Sequence, residues 1–401
     1  MGRLDLRILI LTFYYTPDLC AGSFRAAALV KALVNQVPPN SQIDIVTTLP
    51  NRYSTFKSAA SENENTTGLS VHRIALPAHK SGILDQSRAF IAFYYLAIKY
   101  VEDRDYDLVL GTSSRLMTAV MAARISSKKK TPLYLDIRDI FLDTLSDVLP
   151  KYATVLFKPI IGLLEKYTFS KADQINLVSR GFEGYFKKRY PTKKLSFFTN
   201  GIDVEFLNAV NNVEKPNSKR PGVTTVVYAG NLGEGQGLHI ILPMLAKKLG
   251  AAVKFRIIGD GGRKDELFRA IEDLQVKNVT MLPPMKRDAL IEEYLEADVL
   301  FLHLNKFDAF KKVLPSKIFE YAAMGKPIWA GVSGYPADFI AAEIENAARF
   351  QPGDVDDAVA AFERIELGFT SRAGFIIKFS RHNIMRDMAV DVCRVAEGRG
   401  K

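Results

Sequence analysis

The chain has 401 residues, 48% of them hydrophobic and 24% charged, with a mean hydropathy of 0.00. That composition excludes general disorder and suits two domains with sizeable cores. The net charge of +10 is uneven: residues 1–215 carry 28 Lys and Arg against 20 Asp and Glu, and the rest 26 against 24, so an anionic partner is expected for the first half.

Cys20 and Cys393 are the two cysteines, too few for a disulfide scaffold and without zinc spacing. The longest apolar run, residues 89–98, is about half of the ~20 residues a bilayer span requires. The opening segment ends in Tyr14-Tyr15-Thr16-Pro17-Asp18 with no small-residue cleavage site, so it reads as a buried first strand and not a signal peptide. The expectation is a soluble protein of a reducing compartment.

Residues 7–12 form a continuous apolar strand, and an Ala- and Leu-rich helix follows over 23–34. Strands at 42–47 and 69–74 flank a polar stretch, 62–68, that reads as an exposed loop. An aromatic-rich helix at 85–101 leads to a strand at 108–111, a helix at 116–125 and a strand at 132–137. A helix over 152–169, a strand at 174–178, a helix at 180–189 and a strand at 195–198 complete the first half. Residues 209–222, with Pro216 and Pro221, read as a linker. The alternation then restarts: strands at 223–229, 253–258, 279–282, 299–302 and 327–330, with helices at 238–249, 263–274, 287–296 and 317–324. Helices near 354–367 and 372–393 close the chain. This is α/β with mostly parallel sheets, in domains 1–208 and 223–371, with 372–401 as a terminal helix.

Ligands of open α/β sheets bind beyond the carboxyl ends of the strands. Gly22 opens a helix there, where bare amides suit a phosphate or a sugar hydroxyl; a simple tight turn is the alternative. The stretch is not G-x-G-x-x-G. Asp136-Ile-Arg138-Asp139 places three charges directly after an apolar strand. Arg138 can neutralise a phosphate, and Asp136 or Asp139 can orient it or accept a proton, unless the group is a structural ion pair. Both D-x-D matches, at 103–105 and 105–107, precede their strand and lie at the wrong end for a metal–nucleotide site.

Thr199-Asn200-Gly201-Ile202-Asp203 is a turn signal that also ends a strand. Gly230-Asn231-Leu-Gly-Glu-Gly-Gln236-Gly237 can cradle a diphosphate on backbone amides but lacks the P-loop lysine, which excludes Walker-type hydrolysis. Gly259-Asp260-Gly261-Gly262 is a second glycine turn where a nucleoside can press on backbone. In Pro315-Ser316-Lys317-Ile-Phe-Glu320, Lys317 and Glu320 share a helix face. The helix start adds positive potential to Lys317 for a diphosphate, and Glu320 can accept both hydroxyls of a ribose; an ordinary surface pair is the alternative. The five histidines show no metal spacing, although His303 follows an apolar strand and is a candidate ligand. No G-x-S-x-G occurs.

These pieces together resemble a known family. Residues 257–262, Pro315 to Pro327 and Thr199 to Asp203 are similar to the retaining nucleotide-sugar glycosyltransferases of family 4, and Tyr15 to Arg25 with Tyr134 to Asp139 resemble the bacterial branch that builds O-antigen, capsule and exopolysaccharide, including N-acetyl-L-fucosamine transferases. The resemblance implies a GT-B fold: two Rossmann-like domains facing a cleft, acceptor on the first and donor on the second, with the last helix returning to the first domain. It implies that Glu320 binds the donor ribose and that Lys317 and Arg138 carry charge for the diphosphate, with Asp139 beside them. Gly22, Asn200, Gly230, Asn231, Gly259, Gly261, Pro315 and Ser316 line the donor in this reading.

The chain departs from the family where Lys312 replaces the first glutamate of the E-x7-E motif, and where Asn231 and Gln236 replace a basic pair. The donor is expected to be a UDP-sugar used without metal or cofactor, and the acceptor a polyprenyl-diphosphate-linked saccharide. The expected location is the cytoplasm, with a basic, amphipathic first half suited to the inner-membrane surface. Two other classes stay open: a GT-B epimerase, and a nucleic-acid binder, which the lack of basic–aromatic interleaving disfavours.

Overall fold

The structure is a computed structural model that describes residues 5–18, 20–50, 60–77, 83–113, 116–140, 142, 151–211 and 222–398. Residues 1–200 with 382–401 make one compact unit, and Gly201–Arg381 a second. Residues 201–208 and 372–381, assigned from the sequence to the first domain and the terminal helix, therefore fall in the second unit. Most of the stretch read as a linker, 212–221, lies outside the described residues.

The first unit is built on eight strands: β1 Arg7–Leu11, β2 Gln42–Thr48, β3 Asn63–Thr66, β4 Leu69–Ile74, β5 Leu108–Thr112, β6 Leu133–Ile137, β7 Gln174–Leu177 and β8 Lys194–Ser196. They lie in the order β3-β4-β2-β1-β5-β6-β7-β8, parallel throughout except for the β3–β4 pair. Their near-continuous apolar character follows from burial on both faces. The step from β1 to β2 and the steps toward β8 run in opposite directions. Right-handed crossovers therefore put helix Ala21–Gln36 on one face and helices Ile83–Val101, Leu116–Lys129 and Lys151–Lys171 on the other. The strand order reverses beside β1, which is where Gly22 follows.

The last helix, Arg381–Glu397, belongs to this core. Its Met385, Met388, Ala389 and Val392 pack with Ala26, Leu29 and Leu33 over Ile8 and Ile10. Phe90 and Phe93 of the aromatic helix are buried around Phe13, whereas Tyr95 is 67% exposed.

The second unit has six parallel strands: β9 Thr224–Asn231, β10 Val253–Asp260, β11 Val279–Leu282, β12 Val299–His303, β13 Ile328–Gly331 and β14 Ala347–Phe350. Their order is β11-β10-β9-β12-β13-β14, reversing between β9 and β12. Trp329 anchors the core against Phe255, Phe301, Phe350 and Phe362, and its indole N–H donates to the Ala358 carbonyl at 3.1 Å.

The helix expected over 372–393 breaks at Phe379-Ser380 into Ala373–Lys378 and Arg381–Glu397, and four further elements differ from the sequence expectation. β3 is a strand and not a loop; its residues are all exposed and polar, so it shows no alternation and is defined by antiparallel pairing to β4 across a turn in which Gly68 has φ +75°. β14 and helices Val204–Asn211 and Tyr335–Glu343 are short elements that hydrophobic periodicity does not resolve.

Candidate active site

In the second unit, the loop after β9 begins with Gly230, whose φ of +145° is a glycine conformation. A side chain at 230 would overlap the ammonium of Lys317, the first residue of helix Lys317–Ala323. Lys317 Nζ also stands 5.4 Å from the centre of the Tyr228 ring, and the Tyr228 hydroxyl donates to the Asn231 carbonyl at 2.7 Å. This helix has seven residues and no side-chain cap at Ser316, so its dipole is short and the local positive potential is chiefly that of Lys317 itself. Pro315 precedes it and its carbonyl accepts from the Ile318 amide.

The Asn231 amide is engaged inside the loop: Nδ2 donates to Gln236 Oε1 at 2.8 Å, a neutral bridge between the two residues that depart from the family's basic pair. Gly259 and Gly261 stand where two loops come together. A Cβ on Gly259 would overlap the Gly230 carbonyl, and one on Gly261 would come within 2.6–2.7 Å of Leu232 backbone atoms. These glycines let the two loops pack together, and the backbone pressing on them is protein.

Glu320 lies half-buried, and its carboxyl makes no hydrogen bond among the described residues. Burial pushes its carboxyl up, Lys317, Arg287 and Arg381 pull it down, and Asp203 opposes them. Asp203, from the Asn-Gly turn, is held by Arg287 at 2.9 Å and Arg381 at 2.5 Å. Pattern and spacing do not single out these two arginines, because they open separate helices far apart in the chain.

The first unit gathers a second set. The Arg138 guanidinium occupies the space beside Gly22 that a side chain there would need. The Arg138 amide donates to Ser113 Oγ at 3.1 Å. Burial pushes the Asp139 carboxyl up to about 6, with Arg138 pulling the other way. Helix Ala21–Gln36 has no side-chain cap, and Ser23 Oγ and Asn200 Oδ1 are buried without a partner among the described residues.

Asp136 is excluded from ligand chemistry by Arg25. Arg25 Nε and Nη2 donate to its two carboxylate oxygens at 2.8 and 2.9 Å, and Asn176 adds a bond at 2.7 Å. Arg25 also donates to the Thr199 and Phe198 carbonyls, both at 2.7 Å, which fixes the approach to Asn200. Arg25 was missed because an arginine in an alanine-rich helix reads as a solvated position.

His303 is not a ligand residue: it is buried and both ring nitrogens are bonded within the unit. Among the described residues no cluster of three or more His, Cys, Asp or Glu is placed to hold a metal ion, and no helix is long and apolar enough to cross a membrane.

The architecture is that of the GT-B class, two α/β units each built on a mostly parallel sheet. Residues 210–376, which include the Gly230, Lys317 and Glu320 cluster, match the family model described as glycosyl transferases group 1. A 171-residue stretch is 25% identical to the putative colanic acid biosynthesis glycosyl transferase WcaI of Escherichia coli K12; it spans 40% of this chain and 41% of that relative's length. Among solved structures, sucrose-phosphate synthase from Thermosynechococcus elongatus superposes with a TM-score of 0.68 at 13% identity, over 98% of this chain and 97% of that one. Anabaena HepE in complex with UDP and glucose gives a TM-score of 0.62 at 15% identity, over 98% of both chains.

Proposed function

We propose that this protein is a retaining glycosyltransferase that moves a sugar from a nucleoside diphosphate sugar, a UDP-sugar in the first instance, to a saccharide acceptor. The observation that carries the reading is the Lys317 ammonium seated against Gly230, three residues before a Glu320 carboxyl that no protein group bonds among the described residues. One cation for a diphosphate and one acceptor for a ribose, on a short helix beside a glycine loop, fit a nucleoside diphosphate. The match of this region to group 1 glycosyl transferases supports it.

Transfer requires that charge building on the leaving diphosphate be neutralised and that the acceptor hydroxyl be held against the anomeric carbon. Lys317 and the glycine-loop amides serve the first need. Gly22, Arg138, Asp139 and Asn200, all in the first unit, are left to serve the acceptor. Retention by same-face attack, with a leaving phosphate oxygen taking the acceptor proton, needs no glycosidase-type carboxylate pair. Such a reaction proceeds without a metal, so activity is expected to survive EDTA.

The acceptor is a polyprenyl-diphosphate-linked saccharide of a bacterial surface polysaccharide, in keeping with the colanic acid relative. Helix Lys151–Lys171 exposes Phe157, Ile160, Leu163 and Tyr167 at spacings of three, three and four, with exposed Lys158 and Lys166 among them. An apolar stripe edged by lysines suits the surface of an anionic membrane, where such an acceptor resides. The test is a panel of nucleoside diphosphate sugars against polyprenyl-diphosphate-linked acceptors, reading product mass and anomeric configuration. A retained-configuration product supports the reading. Free epimerised sugar nucleotide would support an epimerase instead, and inverted configuration would contradict the mechanism.

A further inference from the structure

His303 closes β12 with its side chain 1% exposed, and both ring nitrogens are in use. Nδ1 lies 2.6 Å from the Gln236 carbonyl, and Nε2 lies 2.9 Å from the Gly353 amide. A carbonyl only accepts and an amide N–H only donates, so the proton is on Nδ1 and the ring is neutral. Burial pushes its pKa down to about 4, the Gln236 bond raising it slightly and His239 and Lys306 lowering it. The ring is held between Phe301 and Phe350, at centroid distances of 6.4 and 6.0 Å, and it fills the space left by the missing side chain of Gly331. It cannot turn to a second partner.

Asn305, two residues on, continues the pattern. Its amide donates to the Gly235 carbonyl and its Nδ2 to the Glu234 carbonyl, both at 2.9 Å. Three successive loop carbonyls, 234 to 236, are thus tied to the end of β12. The amides of Gly233, Glu234 and Gly235 have no partner among the described residues. We propose that His303 is a positioning residue for the donor: by fixing the Gln236 carbonyl it holds the glycine loop with its carbonyls spent inside the unit and its amides left to a diphosphate.

This role rests on the transferase reading above, and it predicts more than a stability effect. Removing both ring hydrogen bonds should let the Gln236 peptide turn and cost nucleotide affinity.

The experiment measures UDP, GDP and dTDP binding by calorimetry to wild type, His303→Phe, His303→Gln and Phe350→Leu, with Tm for each. Phe350→Leu loosens the same packing but leaves both hydrogen bonds. His303→Phe is expected to weaken the bound nucleotide about tenfold, the scale of one lost hydrogen bond. His303→Gln, which can still donate and accept, should restore most of that loss. Phe350→Leu should lower Tm with affinity nearly unchanged. Should His303→Phe not fold, Asn305→Ser, which unties the Glu234 carbonyl from the same strand end, carries the same expectation. Wild-type affinity in His303→Phe, or losses in all variants that simply follow Tm, would overturn the role. A wild type that binds none of the three nucleotides would overturn the transferase reading and this role with it.

Discussion

Lys317 and Gly230 share one small volume: the ammonium lies where residue 230 would carry its first side-chain carbon. Gly230→Ala must therefore displace the lysine and also hold alanine at φ +145°. The backbone strain alone costs on the order of 1–3 kcal/mol. The expected outcome is a variant with lowered Tm and donor kcat/KM reduced more than tenfold, about 1.4 kcal/mol per decade. Full activity in Gly230→Ala would show that the lysine does not need its observed seat.

Glu320→Gln should fold normally, because the carboxyl makes no hydrogen bond within the described protein that the amide would break. Losing a charge-assisted hydrogen bond to the ribose should cost about 1.5–3 kcal/mol in kcat/KM for the donor. An amide is also easier to bury than a carboxylate, so Tm should hold or rise slightly. Unchanged kcat/KM would remove Glu320 from the donor site.

Much of this was readable before any coordinates, for physical reasons that differ by element. The central strands β1, β5, β6, β9 and β12 are buried on both faces, so their apolar runs mark them plainly. Lys317 and Glu320 were visible because a three-residue spacing after Pro315-Ser316 puts both near one helix start. Arg25 was hidden because its partners, Asp136, Phe198 and Thr199, lie 111 to 174 residues away. His303 was visible as a residue at a strand end, but periodicity cannot tell a ring aimed at a ligand from one bonded to Gln236 and Gly353. β3 carries no hydrophobic signal at all, being polar and exposed along its length.

Arg25→Ala should be the most damaging of these substitutions to stability. It leaves Asp136 charged and buried, the Thr199 carbonyl loses its donor, and the Phe198 carbonyl keeps only the bond from Asn176. Breaking a buried pair from one side costs about 3–5 kcal/mol. Chemical denaturation should show that loss, while the double change Arg25→Met with Asp136→Leu should recover part of it. A loss below 1 kcal/mol, on the scale of a surface pair, would contradict the buried network.

Asp139 sets a pH dependence with a definite sign. Its folded pKa, raised from 3.8 to about 6 by burial against the pull of Arg138, means that the folded state binds the proton more tightly. The group's contribution favours folding below about pH 4 and is lost as pH rises through about 6. Asp139→Asn removes this term, so the variant should gain on wild type between those values and be more stable above pH 6 by up to about 3 kcal/mol, one pKa unit being about 1.4. If ionised Asp139 serves the reaction, wild-type kcat should climb through the same interval, and the Asn variant should be flat and low. A stability difference independent of pH would contradict the assignment.

The claim that matters most is that Lys317 neutralises the departing diphosphate, with Arg138 serving elsewhere. Charge stabilisation that grows toward the transition state lowers kcat when it is removed, more than it raises KM. The decisive measurement is kcat at saturating donor and acceptor for Lys317→Ala and Arg138→Ala, each checked for folding by circular dichroism. The expected result is a fall of roughly 10²- to 10³-fold for Lys317→Ala, as for a lost oxyanion donor, with only partial rescue by Lys317→Arg because the planar guanidinium does not fit the seat over Gly230. Near-wild-type kcat in Lys317→Ala, together with abolished turnover in Arg138→Ala, would contradict the account and give the diphosphate to Arg138.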